Sequence, residues 1–222
     1  MRDQKMKREI KISFFGDSIC FGQGVSIIHG WVPRVARDLH EDFIEREISI
    51  NISNNAVNGR TTRQALESMH YEIQSSYPDI LIIQFGMNDC NYWETDNGVP
   101  RVSINAYKHN IIEIIDRAKA FNISKILLNT NHPTTRTDKF AYADCSYQES
   151  NHDYNQMIRE VATKSQDAIL NDIEKEMLSE VNDGMDLSDY LLEDQLHLSL
   201  LGHDFYHKTT LPFLRKMIEE LI

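Results

Sequence analysis

A chain of 222 residues with 41% hydrophobic and 26% charged residues has the size and composition of one soluble domain, long enough to bury a core without disulfides or metals. Its net charge of −11 argues against nucleic acid as a partner, since phosphate contacts need clustered Lys and Arg. Three cysteines (Cys20, Cys90 and Cys145) make no disulfide framework, and no CxxC pair suggests zinc.

The N-terminus, MRDQKMKREIK, is basic, and residues 1–9 read as a flexible tail ahead of one domain spanning 1–222. Charges interrupt it until Ile10, so it has no signal-peptide core, and no window approaches the ~18 apolar residues of a membrane span. The expectation is a cytoplasmic protein.

Five short runs are predicted as strands: 10–15 (IKISFF), 48–56 (ISINISNNA), 79–86 (DILIIQFG), 124–130 (SKILLNT) and 167–172 (DAILND). Continuous apolar runs such as the third suit strands covered on both faces, as in a parallel sheet. Helical periodicity separates them. Residues 29–46 carry Trp31, Val35, Leu39 and Phe43 at spacing four, and 62–76 carry Ala65, Leu66, Met69 and Ile73. The pattern is clearest over 104–121, with Ser103 as its N-cap, and helices at 147–165 and 203–220 complete the chain. This alternation predicts an α/β three-layer sandwich with right-handed crossovers. Two long connections, 90–102 and 131–146, follow strand ends, where ligands bind in open α/β sheets.

The first strand runs into Gly16-Asp17-Ser18. Asp17-Ser18 is a plain helix cap on one reading, and presents a nucleophilic hydroxyl on the other. A nucleophile needs a base, and the base an orienting group. Asp194 precedes His197 by three residues, a spacing that lets a carboxylate reach the imidazole within a turn, with Ser199 as N-cap of the final helix. Acyl transfer also needs donors for an oxyanion. Gly59 after the second strand permits close approach of a backbone N–H, and Asn88 after the third offers a side-chain amide; a simple Asn-Gly turn and a self-capping loop residue are the plain readings.

FFGDSI, Gly59, GMND and DQLH, in that order from residue 10 to about 207, resemble the SGNH hydrolase superfamily, also called GDSL esterases and lipases. The resemblance implies Ser18 as nucleophile, His197 as general base and Asp194 as its partner, with the Ser18 and Gly59 N–H groups and the Asn88 amide as oxyanion hole. It implies a flavodoxin-like five-stranded parallel sheet in the order 2-1-3-4-5 and no metal or other cofactor. Leu198 stands where many members carry proline. Asp17 is expected to support the serine turn through backbone hydrogen bonds.

The function expected is hydrolysis of short-acyl, acetyl-type esters of a small molecule or carbohydrate. Lysophospholipase or thioesterase activity, acyl transfer, and non-catalytic binding on a flavodoxin-like fold are the alternatives. Neither nucleic acid nor membrane is expected as a partner, and oligomeric state is not legible. Tyr92 and Trp93, with Phe140 and Tyr142, either contact substrate or pack the long loops down. His203 and His207, four apart, have a metal-compatible spacing without an evident third ligand, and Cys20 reads as a buried thiol.

Overall fold

A computed structural model describes residues 8–222; the basic stretch 1–7 lies outside the described residues. Five strands, β1 (Arg8–Gly16), β2 (Ile48–Asn54), β3 (Ile80–Gln84), β4 (Lys125–Asn129) and β5 (Ala168–Asn171), form one sheet in the order β2-β1-β3-β4-β5. All pairs are parallel. Arg8 and Glu9 open β1, opposite Ile48 and Ser49 of β2, which corrects the tail expected over 1–9 at its last two residues.

Burial follows position in the sheet. Every residue of β3 is buried, as a central parallel strand with both faces covered requires. At the β2 edge, Ile48, Ile50 and Ile52 are half-buried against the core, while Ser49 and Asn51 face solvent.

The helices are α1 (Ser18–Phe21), α2 (Trp31–Ile44), α3 (Thr62–Glu72), α4 (Ile104–Ala120), α5 (Tyr147–Lys164), α6 (Ile173–Asn182) and α7 (Leu200–Glu219). Their caps are written in the sequence. Ser103 and Ser199 accept from the Ala106 and Gly202 N–H groups, and Ser146 and Glu149 form a reciprocal capping box. Helix α2 packs on α7, whereas α3 packs on α4 and α4 on α5. Right-handed crossovers account for these groups: β1 leads through α2 to one side of the sheet, and every later crossover runs the other way.

The strand order reverses direction once, beside β1. There the segments leaving β1 and β3 depart to opposite faces, the place at the carboxyl ends of the strands where open α/β sheets form a ligand crevice. Helix α6 was not expected, nor were the 3₁₀ turns at Ile27–His29, Glu94–Asp96 and Leu187–Tyr190.

Candidate active site

Ser18 follows β1 at that crevice. Asp17 is the N-cap of α1, and its Oδ1 accepts from the Ile19 N–H at 3.0 Å. Gly22 ends the single helical turn in the left-handed region, φ 83°. The hydroxyl is therefore set on a tight strand–turn–helix corner, with Ser18 only 5% exposed. From below, the Trp31 indole N–H donates to the Ile19 carbonyl at 2.8 Å.

His197 arrives from the far end of the chain. Its loop is closed by a bridge between Leu191 and Leu198 and by the Leu192 N–H donating to the His197 carbonyl at 2.7 Å. Within it, Asp194 Oδ1 accepts from the Leu196 and His197 N–H groups, at 3.0 and 2.9 Å. Asp194 Oδ2 lies 2.5 Å from His197 Nδ1, and His197 Nε2 lies 2.9 Å from Ser18 Oγ. Partial burial pulls the Asp194 pKa up, but the bonds from His197 and the loop backbone outweigh it and hold the carboxyl below its ordinary value. An ionised carboxylate only accepts, so Nδ1 carries the proton and Nε2 is free to accept from the serine.

The loop is fastened from beneath by His132, which follows β4. His132 Nε2 lies 2.8 Å from the Leu196 carbonyl, so Nε2 is the protonated nitrogen; Nδ1 then accepts from the Tyr206 hydroxyl at 2.8 Å. Burial lowers the His132 pKa to about 4, which keeps the ring neutral. Tyr206 packs on Trp31, so the serine turn and the histidine loop share one aromatic floor. Arg136 adds two bonds to the Asp194 carbonyl, at 2.9 and 2.7 Å.

Gly59 and Asn88 lie on the other side of the serine turn. Gly59 has φ 76° with open space over its Cα, a conformation glycine adopts without strain. The Asn88 amide nitrogen is 3.4 Å from Asp17 Oδ2. Arg101 donates to both residues, to Asn88 Oδ1 and to the Gly59 carbonyl, each at 3.1 Å. Arg60 braces the β2–α3 loop through a two-pronged ion pair with Glu72 and a bond to the Asn55 carbonyl. Thr62 ties it to the next loop by donating its N–H and hydroxyl to buried Asp89.

Two buried carboxyls underlie this side. Burial raises Asp17 to about 7, assisted by the charge of Asp89, and burial raises Asp89 to about 6.

The long loops pack on each other. Tyr92 packs on Phe140 with the rings tilted and centroids 4.9 Å apart, and Phe140 meets Tyr147 edge-on. Trp93 instead lies over the Arg101 guanidinium at 4.2 Å and is 49% exposed. His203 and His207 do not converge: His203 Nδ1 accepts from the Trp31 N–H, and His207 Nε2 meets Asp38. Cys20 is fully buried, and its thiol is pushed well above its ordinary pKa by desolvation and then by the Asp17 charge, the reverse of what a thiolate nucleophile needs.

Among the described residues no helix is long and apolar enough to cross a membrane. Arg101, His132 and Arg136 carry site geometry that no motif pointed to, and Asp89, inside GMND, had been given no role.

In fold the chain is similar to an enzyme from the metagenome of Lake Arreo, Spain, described as an alpha/beta hydrolase, with a TM-score of 0.74 at 20% identity over 91% of this chain and 94% of the other. An acetylxylan esterase from Geobacillus stearothermophilus gives 0.74 at 19% identity over 96% of each chain. Variants of that esterase with a serine or an aspartate replaced are described as catalytic mutants. A lipase/acylhydrolase from Enterococcus faecalis gives 0.70 at 20% identity over 93% of this chain and 96% of the other. No curated protein matches the chain in sequence. The model of the GDSL-like lipase/acylhydrolase family matches residues 14–205, most of the chain, and the protein belongs to that family.

Proposed function

We propose that the protein is a serine esterase that hydrolyses short-acyl, acetyl-type esters of a small molecule or carbohydrate through an acyl-enzyme. The observation that carries this reading is the unbroken alignment from Asp194 Oδ2 through the His197 ring to Ser18 Oγ, with contacts of 2.5 and 2.9 Å. In this arrangement His197 Nε2 takes the Ser18 proton as Oγ attacks the ester carbonyl carbon. The imidazolium formed is stabilised by Asp194. Negative charge on the former carbonyl oxygen meets the Ser18 and Gly59 N–H groups and the Asn88 amide. Collapse of the tetrahedral species breaks the ester C–O bond, and His197 returns the proton to the departing alcohol. Water, deprotonated by the same ring, then cleaves the acyl-enzyme.

Short acyl groups and a sugar-like alcohol fit best with two features. An acetylxylan esterase is among the proteins that share the fold, and half-exposed Trp93 offers a flat apolar face beside the Asn88 side of the site.

The test is hydrolysis of p-nitrophenyl esters from acetyl to palmitoyl, with acetylated xylooligosaccharides alongside. We expect turnover greatest on acetyl and lost in Ser18→Ala. A preference for long chains overturns the substrate reading, and activity that survives Ser18→Ala overturns the mechanism.

A further inference from the structure

We propose that Arg101 is the positioning residue of the oxyanion site: one guanidinium fork fixes the polarity of the Asn88 amide and holds the carbonyl of Gly59, so that both donors face the acyl oxygen before substrate arrives. This rests on the esterase reading above.

The argument begins with what an arginine can do. Guanidinium carries five N–H donors and no acceptor, so the Asn88 atom it touches at 3.1 Å is Oδ1. The amide is thereby locked against a flip, and its NH2 turns toward the serine turn, where Asp17 Oδ2 lies 3.4 Å away. Asp17 Oδ2 draws the NH2 from one side at 3.4 Å and the guanidinium draws Oδ1 from the other at 3.1 Å, so without the arginine the orientation rests on the longer contact alone. A flipped amide would present a carbonyl oxygen to an oxyanion and repel it. The second arm of the fork, Nη2, donates to the Gly59 carbonyl at 3.1 Å. Gly59 is exposed, sits at φ 76° and has no side chain to anchor it; a turn bond from the Arg60 N–H to the Val57 carbonyl at 3.2 Å holds one side of the Gly59–Arg60 peptide, and Arg101 holds the other, its carbonyl.

The fold delivers Arg101 to this place. Loop 90–102 leaves β3 just after Asn88 and doubles back through an antiparallel bridge between Tyr92 and Pro100. The Arg101 N–H donates to the Asn91 carbonyl at 2.9 Å and the Val102 N–H to the Asp89 carbonyl at 3.2 Å. Thirteen residues of chain thus return the arginine beside the asparagine it orients. Trp93 covers the guanidinium, and buried Asp89 lies close enough to attract its charge. A lysine ammonium, a single point of charge, cannot span both acceptors with a planar fork.

The experiment measures kcat and KM on p-nitrophenyl acetate, with melting temperature, for wild type, Arg101→Met, Arg101→Lys, Asn88→Ala and the two double variants carrying Asn88→Ala. Asn88→Ala is expected to lower kcat by about 10²–10³-fold. Arg101→Met should lower kcat by about 10–100-fold with KM little changed, and Arg101→Lys by less. In the Asn88→Ala background the penalty of Arg101→Met should shrink to a few-fold, because one of the two groups it positions is gone and only its hold on the Gly59 carbonyl remains. Losses that multiply in the double variants, or that lie in KM or melting temperature alone, overturn the proposal. If Arg101→Met does not fold, the Arg101→Lys pair carries the same test. Ser18→Ala separates the two readings. Activity that survives it removes the esterase reading and this one together; activity lost in it, with multiplying penalties, removes this one alone.

Discussion

Asp194 does three things at once: Oδ1 binds two backbone N–H groups of its own loop, and Oδ2 binds the His197 ring. Asp194→Asn separates these roles. The asparagine oxygen can keep both backbone bonds, but its NH2 then faces Nδ1 and can only donate. The ring must accept there and carry its proton on Nε2, against Ser18, where it cannot act as base. On the proposed mechanism we expect kcat on p-nitrophenyl acetate to fall by about 10⁴-fold, the loss that the wrong tautomer brings in Ser-His-Asp enzymes, while the melting temperature stays near that of wild type. A loss below tenfold would show that Asp194 does not set the tautomer. Residues of this kind were legible because their partners lie close in sequence or within short motifs: Asp194 is three residues from His197, and Ser18 sits in Gly-Asp-Ser. Arg101 and His132 were not. Their partners stand 13 and 64 residues away, and neither an arginine after proline nor a histidine before one has a spacing that predicts a bond to Asn88 or Leu196.

Between residue and fold, the corner where β1 becomes α1 decides how Ser18 is presented, and Gly16 is its tightest point. A Cβ there would stand 2.8 Å from the Gln84 carbonyl of β3 and 2.7 Å from Cys20 Sγ. The carbonyl belongs to the strand paired with Gly16 and cannot swing aside. Gly16→Ala must therefore push β1 from β3 or tilt α1. The expected cost is about 1–3 kcal/mol, which calorimetry would read as a fall of roughly 3–10 °C in melting temperature, with lower esterase turnover as Ser18 shifts. An unchanged melting temperature would mean that the corner relaxes freely. At this scale most elements were legible, because β3 and α4 carry unbroken apolar runs or faces. Strand ends were less so. β2 stops at Asn54 rather than 56, where the Asn54 side chain turns to donate to the Cys20 carbonyl and accept from the Ala56 N–H. Helix α6 was missed because Ile173 and Met177 are its only apolar residues in the core, too few for a period to show, and its third buried residue, Glu174, is held by Arg159.

Across the whole molecule, the carboxyl edge of the sheet collects four buried groups that titrate between about pH 4 and 7 and whose effects on stability oppose one another. Burial lifts Asp17 to about 7 and Asp89 to about 6, and burial lowers His132 and His203 to about 4. A carboxyl raised on folding contributes stability that is fully present below its unfolded value near 3.8 and is lost as pH rises toward the folded value. A histidine lowered on folding does the reverse: its contribution is complete above 6.5 and is lost as pH falls toward 4. The two pairs act over nearly the same window with similar magnitude and opposite sign, so the folded protein should show a flat stability profile from about pH 4.5 to 6.5. Asp17→Asn removes the largest declining contribution while leaving an oxygen to accept from the Ile19 N–H. Its unfolding free energy should therefore climb with pH, gaining roughly 3–5 kcal/mol on wild type between pH 4 and 8. Urea unfolding at pH 4.5, 5.5, 6.5 and 7.5 would read the slope. If the variant runs parallel to wild type, Asp17 does not titrate in this window, and the carboxyl beside Ser18 is ionised throughout, a fixed negative charge that would oppose the oxyanion of the proposed mechanism.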